Sequence, residues 1–196
     1  MKTLVIDRST ANTSTAILDE EGKIEDVRLG IWREESEGRE LKFPEKIDRI
    51  VVGTGPGSFA GIRSALAFAQ GYAIGSGCEV FGITSAASFA SEGEKVAVVG
   101  DARRGKCWIA LFDGFKLLKD VFQVEFAEVE NHIPGFFRIA TPDTARIGEA
   151  LKEKFGEKYF DSGLVTAEKL ARAFCANEEL LIEEPLPIYL NPAVRD

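Results

Sequence analysis

The sequence predicts an α/β protein of two lobes, each a mixed sheet flanked by helices. Three observations carry that expectation. Lys2–Asp7, Ser14–Leu18 and Lys23–Leu29 are short apolar or β-branched runs joined by turns, the pattern of an antiparallel meander. From Arg49 to Ala90 strand runs alternate with helical ones, as parallel pairing requires. A second series of strand runs begins near Lys95, so the lobe boundary is placed between residues 94 and 95, giving lobes 1–94 and 95–196.

The first strand ends on a carboxylate, Asp7. Asp19-Glu20-Glu21-Gly22 is the hairpin turn between the second and third strands. Trp32–Lys46 is charged, lacks apolar periodicity and carries Gly38 and Pro44, so it reads as loop. Arg49–Gly53 resumes the sheet, and an alanine-rich helix runs to about Ile74. Glu79–Ile83 is a strand, and Thr84–Ala90 a helix that Thr84 or Ser85 can cap. In the second lobe Val96–Gly100, Cys107–Phe112, Val121–Phe126 and Phe137–Ala140 read as strands. Thr144–Phe155 and Val165–Cys175 read as amphipathic helices. The proline-rich tail Pro185–Pro192 cannot be helical and is expected to lie extended on the second lobe.

Composition narrows the function. With 196 residues, 45% hydrophobic and 29% charged, the chain has the make-up of a soluble globular protein. A net charge of −8 argues against strong direct binding of nucleic acid or of an anionic membrane, which needs clustered Lys and Arg; a nucleic-acid role would need a basic partner or a local patch. The N-terminal apolar run is too short for a signal-peptide core, and no run approaches a membrane span. Cys78, Cys107 and Cys175 are widely spaced and read as reduced, buried thiols of a cytoplasmic protein. His132, the single histidine, precedes a Pro-Gly turn with no Cys or His cluster beside it, so neither a metal site nor a catalytic base is expected.

The most informative stretch is Gly53–Ser64, GTGPGSFAGIRS, a glycine turn between a strand and a helix. Glycines admit close backbone approach, and a helix N-terminus offers free N–H groups to phosphate. The nucleotide motifs nevertheless fail: Ile62-Arg63 follows Gly61 where a P-loop needs Lys, and a dinucleotide fold wants an acid at the end of the next strand, whereas Glu79 begins it. Ser58 does not sit in a nucleophile elbow. Asp7, Ser9 and Thr10 lie at a strand–strand turn like that of the first phosphate loop of actin-like ATPases, but Arg8 stands where such loops carry a small hydroxyl residue. With Gly55, Gly57 and Ser58 they form a degenerate phosphate cradle. Asp101-Ala102-Arg103-Arg104-Gly105 is a further turn, read as a solvated hairpin with a local ion pair. The helix after the glycine turn has little polar face, so it has a second apolar surface that either another helix of this chain or a partner covers; the shortage of helix in Trp32–Lys46 favours a partner, with Phe59, Ile62, Arg63, Leu66 and Gln70 as candidate contacts.

Together these residues resemble the TsaB family, also called YeaZ. The resemblance rests on Leu4–Asp7 with Ser9-Thr10, on Gly55–Arg63 with its Gly-Pro-Gly-Ser-Phe string, on Asp101-Ala102-Arg103 after a strand, and on Pro187–Pro192. It implies a two-lobed actin-like ATPase (ribonuclease H-like) fold without cofactor or catalysis of its own. It also implies a role in N6-threonylcarbamoyladenosine modification of tRNA, with a TsaD-like catalytic paralogue and a TsaE-like ATPase as partners and pairing, also as a homodimer, through the helix matching Gly61–Ala73. The chain departs from the family where a long amphipathic helix usually sits, at Trp32–Lys46, and at Arg8. The alternative reading is a working ATPase or phosphotransferase of the same fold, with Asp7 and Asp101 facing magnesium.

Overall fold

A computed structural model describes residues 1–30 and 46–190. The reading of Trp32–Lys46 as loop therefore falls, but for Lys46, outside the described residues, as do Asn191 and Pro192. The contacts divide the chain into two units, one of Met1–Ser88 with Val165–Pro187 and one of Phe89–Leu164 with the residues from Ile188.

In the first unit, β1 (Thr3–Asp7), β2 (Ser14–Leu18) and β3 (Ile24–Leu29) form the expected meander. Its second turn, between β2 and β3, closes through Asp19, whose carboxylate accepts from the amides of Glu21 and Lys23 at 2.9 and 2.8 Å. β4 (Arg49–Gly53) pairs parallel to β1, and β5 (Glu79–Ile83) parallel to β4. β1 and β2 are buried at every position because both faces of the sheet are covered. On one face α1 (Phe59–Ser76) lays Ile62, Ala65, Leu66 and Ala69 against Leu4, Ile6, Ile50 and Val52, the alternate residues of adjacent strands.

The helix α3 (Ala167–Ala176) lies over β1 and β2 and so belongs to the first unit, not to the second lobe where residues 95–196 were placed. Its stripe of Ala167, Leu170, Ala171 and Phe174 is buried, while Glu168 and Arg172 pair on the outer side at 2.8 Å. The amide of Ala167 donates to the Ser14 hydroxyl at 2.8 Å, fixing the start of the helix on β2.

The chain then adds β10 (Ile182–Glu183) antiparallel to β5, at the edge of the first sheet. Two residues carry no periodicity, so this strand had no sequence signal. Pro185–Pro187 also stay with the first unit, and only the tail from Ile188 groups with the second, so the expected position of the tail is corrected in part.

In the second unit, β6 (Lys95–Arg103), β7 (Lys106–Asp113) and β8 (Lys116–Glu125) form an antiparallel meander, and β9 (Arg138–Ala140) pairs parallel to β6. The core gathers Ala97, Val99, Ile109, Val129, Phe137, Ile139 and Leu151. The stretch expected as one helix over Thr144–Phe155 begins with a π-helical turn, Thr144–Gly148, and becomes α-helical only in α2 (Glu149–Phe155).

The strand orders are β10-β5-β4-β1-β2-β3 and β8-β7-β6-β9. Each sheet sets its first strand between an antiparallel second strand and a parallel fourth. This repeated arrangement is the two-lobed actin-like, ribonuclease H-like fold. No helix among the described residues is long and apolar enough to cross a membrane. The three cysteines are unpaired, with Cys107 buried, Cys78 half-buried and Cys175 exposed, which corrects the expectation that all are buried. Burial beside Glu125 and Asp101 pushes the Cys107 thiol up to about 11, leaving it a poor nucleophile.

Candidate functional site

Parallel strands place their loops, and any ligand, at their carboxyl ends. In the first unit those ends are Asp7–Thr10 after β1, Gly53–Ser58 after β4 and Thr84-Ser85 after β5, and the fold brings all three together. Asp7 is wholly buried. Its Oδ1 accepts from the Ser9 amide at 2.9 Å and the Ser9 hydroxyl at 2.7 Å, and its Oδ2 accepts from the Ser85 hydroxyl at 2.6 Å. The Ser85 hydroxyl in turn accepts from the amide of Gly55 at 3.1 Å, while the Ser85 amide and the Thr84 hydroxyl donate to the Gly55 carbonyl at 2.8 and 3.0 Å.

This explains why Ser85–Phe89 is a 3-10 turn instead of the expected capped α-helix over Thr84–Ala90. Both candidate caps spend their hydroxyls on the glycine turn and on Asp7. Ser85 is the site residue that the sequence reading missed. Its signal was a hydroxyl directly after the strand that follows the glycine turn.

The glycines face the chain itself. A Cβ at Gly53 would stand 1.9 Å from Asp7 Oδ2, and one at Gly57 would stand 2.1 Å from the Ser9 carbonyl oxygen. The Ser58 amide donates to that carbonyl at 2.6 Å, and Gly61 makes the same close approach to the Arg8 carbonyl. Gly55 takes a φ of 91°, open to few other residues. The turn that resembles a phosphate cradle is thus closed on the β1–β2 loop by backbone contact. Ser58 caps α1, accepting from the Gly61 amide at 3.3 Å, and Thr10 accepts from the Asn12 amide at 3.2 Å, a local turn bond. Of the six cradle candidates, Asp7, Ser9, Gly55, Gly57 and Ser58 meet in one network; Thr10 is not joined to it.

Burial raises the Asp7 carboxyl above its ordinary value near 3.8, against the lowering effect of its Ser85 and Ser9 hydrogen bonds. The stability carried by the neutral form is complete below the ordinary value and is lost as pH rises through the folded one. Asp7→Asn keeps an oxygen for Ser9 and can donate to the Ser85 hydroxyl. It is expected to fold within about 1 kcal/mol of the parent and to flatten that pH dependence in denaturant titrations. Asp7→Ala strands three donors and is expected to cost about 2–3 kcal/mol.

Of the candidate partner contacts on α1, Ile62 and Leu66 are core residues at 2% and 5% exposure, which removes them from any outer face. The reason is phase: with Ala65 and Ala69 they form the stripe that meets the sheet. The opposite stripe, Ala60, Arg63, Ala67, Gly71 and Ile74, is exposed at spacings of three and four, with Phe59 and Gln70 beside it. Phe59 is 50% and Ile74 89% exposed, and the Arg63 guanidinium lies 5.0 Å over the Phe59 ring. Arg8 donates to the Ser64 hydroxyl at the edge of this face.

In the second unit the carboxyl ends of β6 and β9 carry Asp101 and Asp143. The Asp101 amide donates to Asp143 Oδ2 at 2.9 Å, and burial raises the Asp143 carboxyl. Arg103 and Arg146 each place a guanidinium nitrogen 3.5 Å from Asp101 Oδ2. The expected ion pair in this hairpin is present, with Arg146 as an added member. Among the described residues no group of three or more His, Cys, Asp or Glu side chains is placed to hold a metal. His132 lies edge-on to Phe122, with ring centroids 6.1 Å apart. A cavity of about 150 Å³ between Glu130, Ile133, Phe137, Lys154 and Phe155 involves none of the candidate residues.

Known proteins share this architecture. The family model for TsaD, tRNA N6-adenosine threonylcarbamoyltransferase, matches residues 40–179. A crystal structure of an uncharacterized protein with similarity to the peptidase YEAZ from Pseudomonas aeruginosa superposes with a TM-score of 0.72 at 21% identity, covering 97% of this chain and 99% of that one. YeaZ from the same organism gives a TM-score of 0.69 at 22% identity, covering 96% and 99%. Uncharacterized proteins of Mycobacterium tuberculosis and Mycobacterium bovis are 33% identical over 72 residues, or 36% of this chain. The chain spans about a third (34%) of the length of these curated relatives in that match. The two YeaZ-like structures share the fold, and the family model extends over well more than half of the sequence: the chain belongs to the tRNA N6-adenosine threonylcarbamoyltransferase (TsaD) family.

Proposed function

We propose that this chain is the TsaB-type, catalytically silent member of the machinery that makes N6-threonylcarbamoyladenosine in tRNA. It acts as scaffold or activator of a TsaD-like transferase, with a TsaE-like ATPase as third component. The observation that carries the reading is the outer stripe of α1. Ala60, Ala67 and Gly71 let another helix approach closely, while Phe59 and Ile74 supply apolar area at the two ends. The docking face is therefore assigned to Phe59, Ala60, Arg63, Ala67, Gln70, Gly71 and Ile74.

The glycine turn supports the silent role. Its glycines are filled by the Ser9 and Arg8 carbonyls and by Asp7, and the Asp7 oxygens already accept three hydrogen bonds. Co-expression with a TsaD-like protein should give a stable complex. The purified chain should not hydrolyse ATP, and threonylcarbamoyl transfer by the partner should depend on it. A partner fully active alone, or turnover of ATP by the isolated chain, would overturn the reading.

A further inference from the structure

We propose that the cavity beside the turn at residues 133–137 binds a carboxylate carried on a compact apolar group, either a free small acid or the carboxyl-terminal residue of a peptide. The cavity lies wholly within the second unit, between the 3-10 segment Phe126–His132, that turn and the end of α2. Ile133, Phe137 and Phe155 supply its apolar wall, and its volume is about 150 Å³. An apolar cavity of about this size holds one benzene ring. The space therefore fits a single ring or branched side chain.

The wall is fixed by the core behind it. Ile133 and Phe137 are 7% and 2% exposed and pack in the hydrophobic cluster of the unit. The Phe137 amide donates to the Pro134 carbonyl at 3.0 Å, which closes the turn and sets Pro134 and Gly135 at the cavity. The Gly135 amide has no hydrogen-bond partner among the described residues. A Cβ on Gly135 would meet only the Lys158 ammonium, at 3.8 Å, so that ammonium stands beside the unused amide. Phe136 is 69% exposed next to it, with its ring centroid 5.2 Å from that of Phe137, and extends the apolar surface past the cavity.

Charge decides the class of ligand. The ionisable side chains lining the cavity are Glu130, Lys154 and Lys158. Glu130 and Lys154 neutralise each other at 2.9 Å, and the Lys154 ammonium also lies 6.0 Å from the Phe126 ring centroid. Lys158 has no ion-pair partner among the described residues, so the lining keeps one positive charge in a chain whose net charge is −8. A surplus ammonium and a free amide beside an apolar hollow suit a carboxylate that accepts from both, joined to a group that fills the hollow. A cation would be repelled by Lys158, and a neutral apolar ligand would leave both donors unused.

The test is an amide NMR titration of the full chain with phenylacetate, phenylacetamide, and the peptide glycyl-glycyl-phenylalanine with its carboxyl terminus free or amidated. Saturable shifts of the Gly135, Phe137 and Phe155 amides are expected with both carboxylates, at about millimolar affinity for ligands so small. Each neutral amide should bind at least about fivefold more weakly than its acid. A free peptide at least about tenfold tighter than phenylacetate identifies a chain terminus as the source, and any smaller difference identifies a free acid. Lys158→Met keeps the apolar stem and removes the charge at an exposed position, so melting should be unchanged while both carboxylates bind about fivefold more weakly. Lys158→Arg should keep the affinity. No saturable shift at about 10 mM probe, equal binding of acids and amides, or undiminished binding in Lys158→Met overturns the site. The probes are added to the chain alone, so the result is independent of whether a TsaD-like partner docks on α1.

Discussion

Gly53→Ala is expected to be among the most damaging single-methyl changes in the protein. The added Cβ would stand 1.9 Å from Asp7 Oδ2 and 2.8 Å from the Ser85 hydroxyl oxygen. Asp7 is fully buried at the end of a central strand, so it cannot swing into water. Either the carboxylate leaves its Ser85 and Ser9 donors or β4 moves away from β1. Overpacking together with lost hydrogen bonds costs about 3 kcal/mol. For a chain of this size that is a fall in Tm of about 6–12 °C, read by calorimetry. Gly71→Ala is the control. Its Cβ meets nothing within 4 Å, and alanine favours the helix, so stability should rise by about 0.5–1 kcal/mol. Equal effects from the two changes would refute the view that Gly53 exists for close chain packing.

The second large effect belongs to association, not folding. Ile74→Asp places a charge at a position 89% exposed, and Ala67→Arg puts a long cation in the middle of the outer stripe of α1. Surface changes of this kind leave stability within about 0.5 kcal/mol. Across a docked helix pair the same charge would be desolvated without a partner, lowering affinity for a TsaD-like protein by at least about 2 kcal/mol, roughly thirtyfold. Pull-down and calorimetric titration should show this loss with unchanged melting of the isolated chain. Ile62→Asp would be a poor test of docking, because Ile62 lies in the core against the sheet and a buried unpaired charge unfolds the unit. Full affinity in both outer-face variants would remove α1 as the docking element.

Much of the fold was legible in the residues. The strands from Ser14–Leu18 to Glu79–Ile83 stand where β-branched alternation and glycine punctuation put them, and α1 where an alanine-rich run follows the glycine turn. The errors have one origin. Thr84-Ser85 has the chemistry of a helix cap, but its hydroxyls are claimed by residues 29 to 78 positions away. The helix Val165–Cys175 was identified, yet its placement over β1 and β2 was not, because an amphipathic stripe names a buried face without naming what buries it. The candidate site divided in the same way. Asp7, Ser9, Gly55 and Gly57 were visible as a motif, and Ser85 was not.

What this sequence determined by itself was its local order: which segments are strands and helices, that a glycine turn joins β4 to α1, and that this helix has too little polar surface for a single buried face. These follow from periodicity and turn chemistry, which act over a few residues. The tertiary structure alone decided that the glycines receive the chain's own carbonyls and a buried carboxylate, and that Ile62 and Leu66 face inward while Ala67 and Ile74 face out. The reason is that a glycine permits close approach without specifying what approaches, and the phase of a helix with apolar residues all round is set only by the sheet it meets.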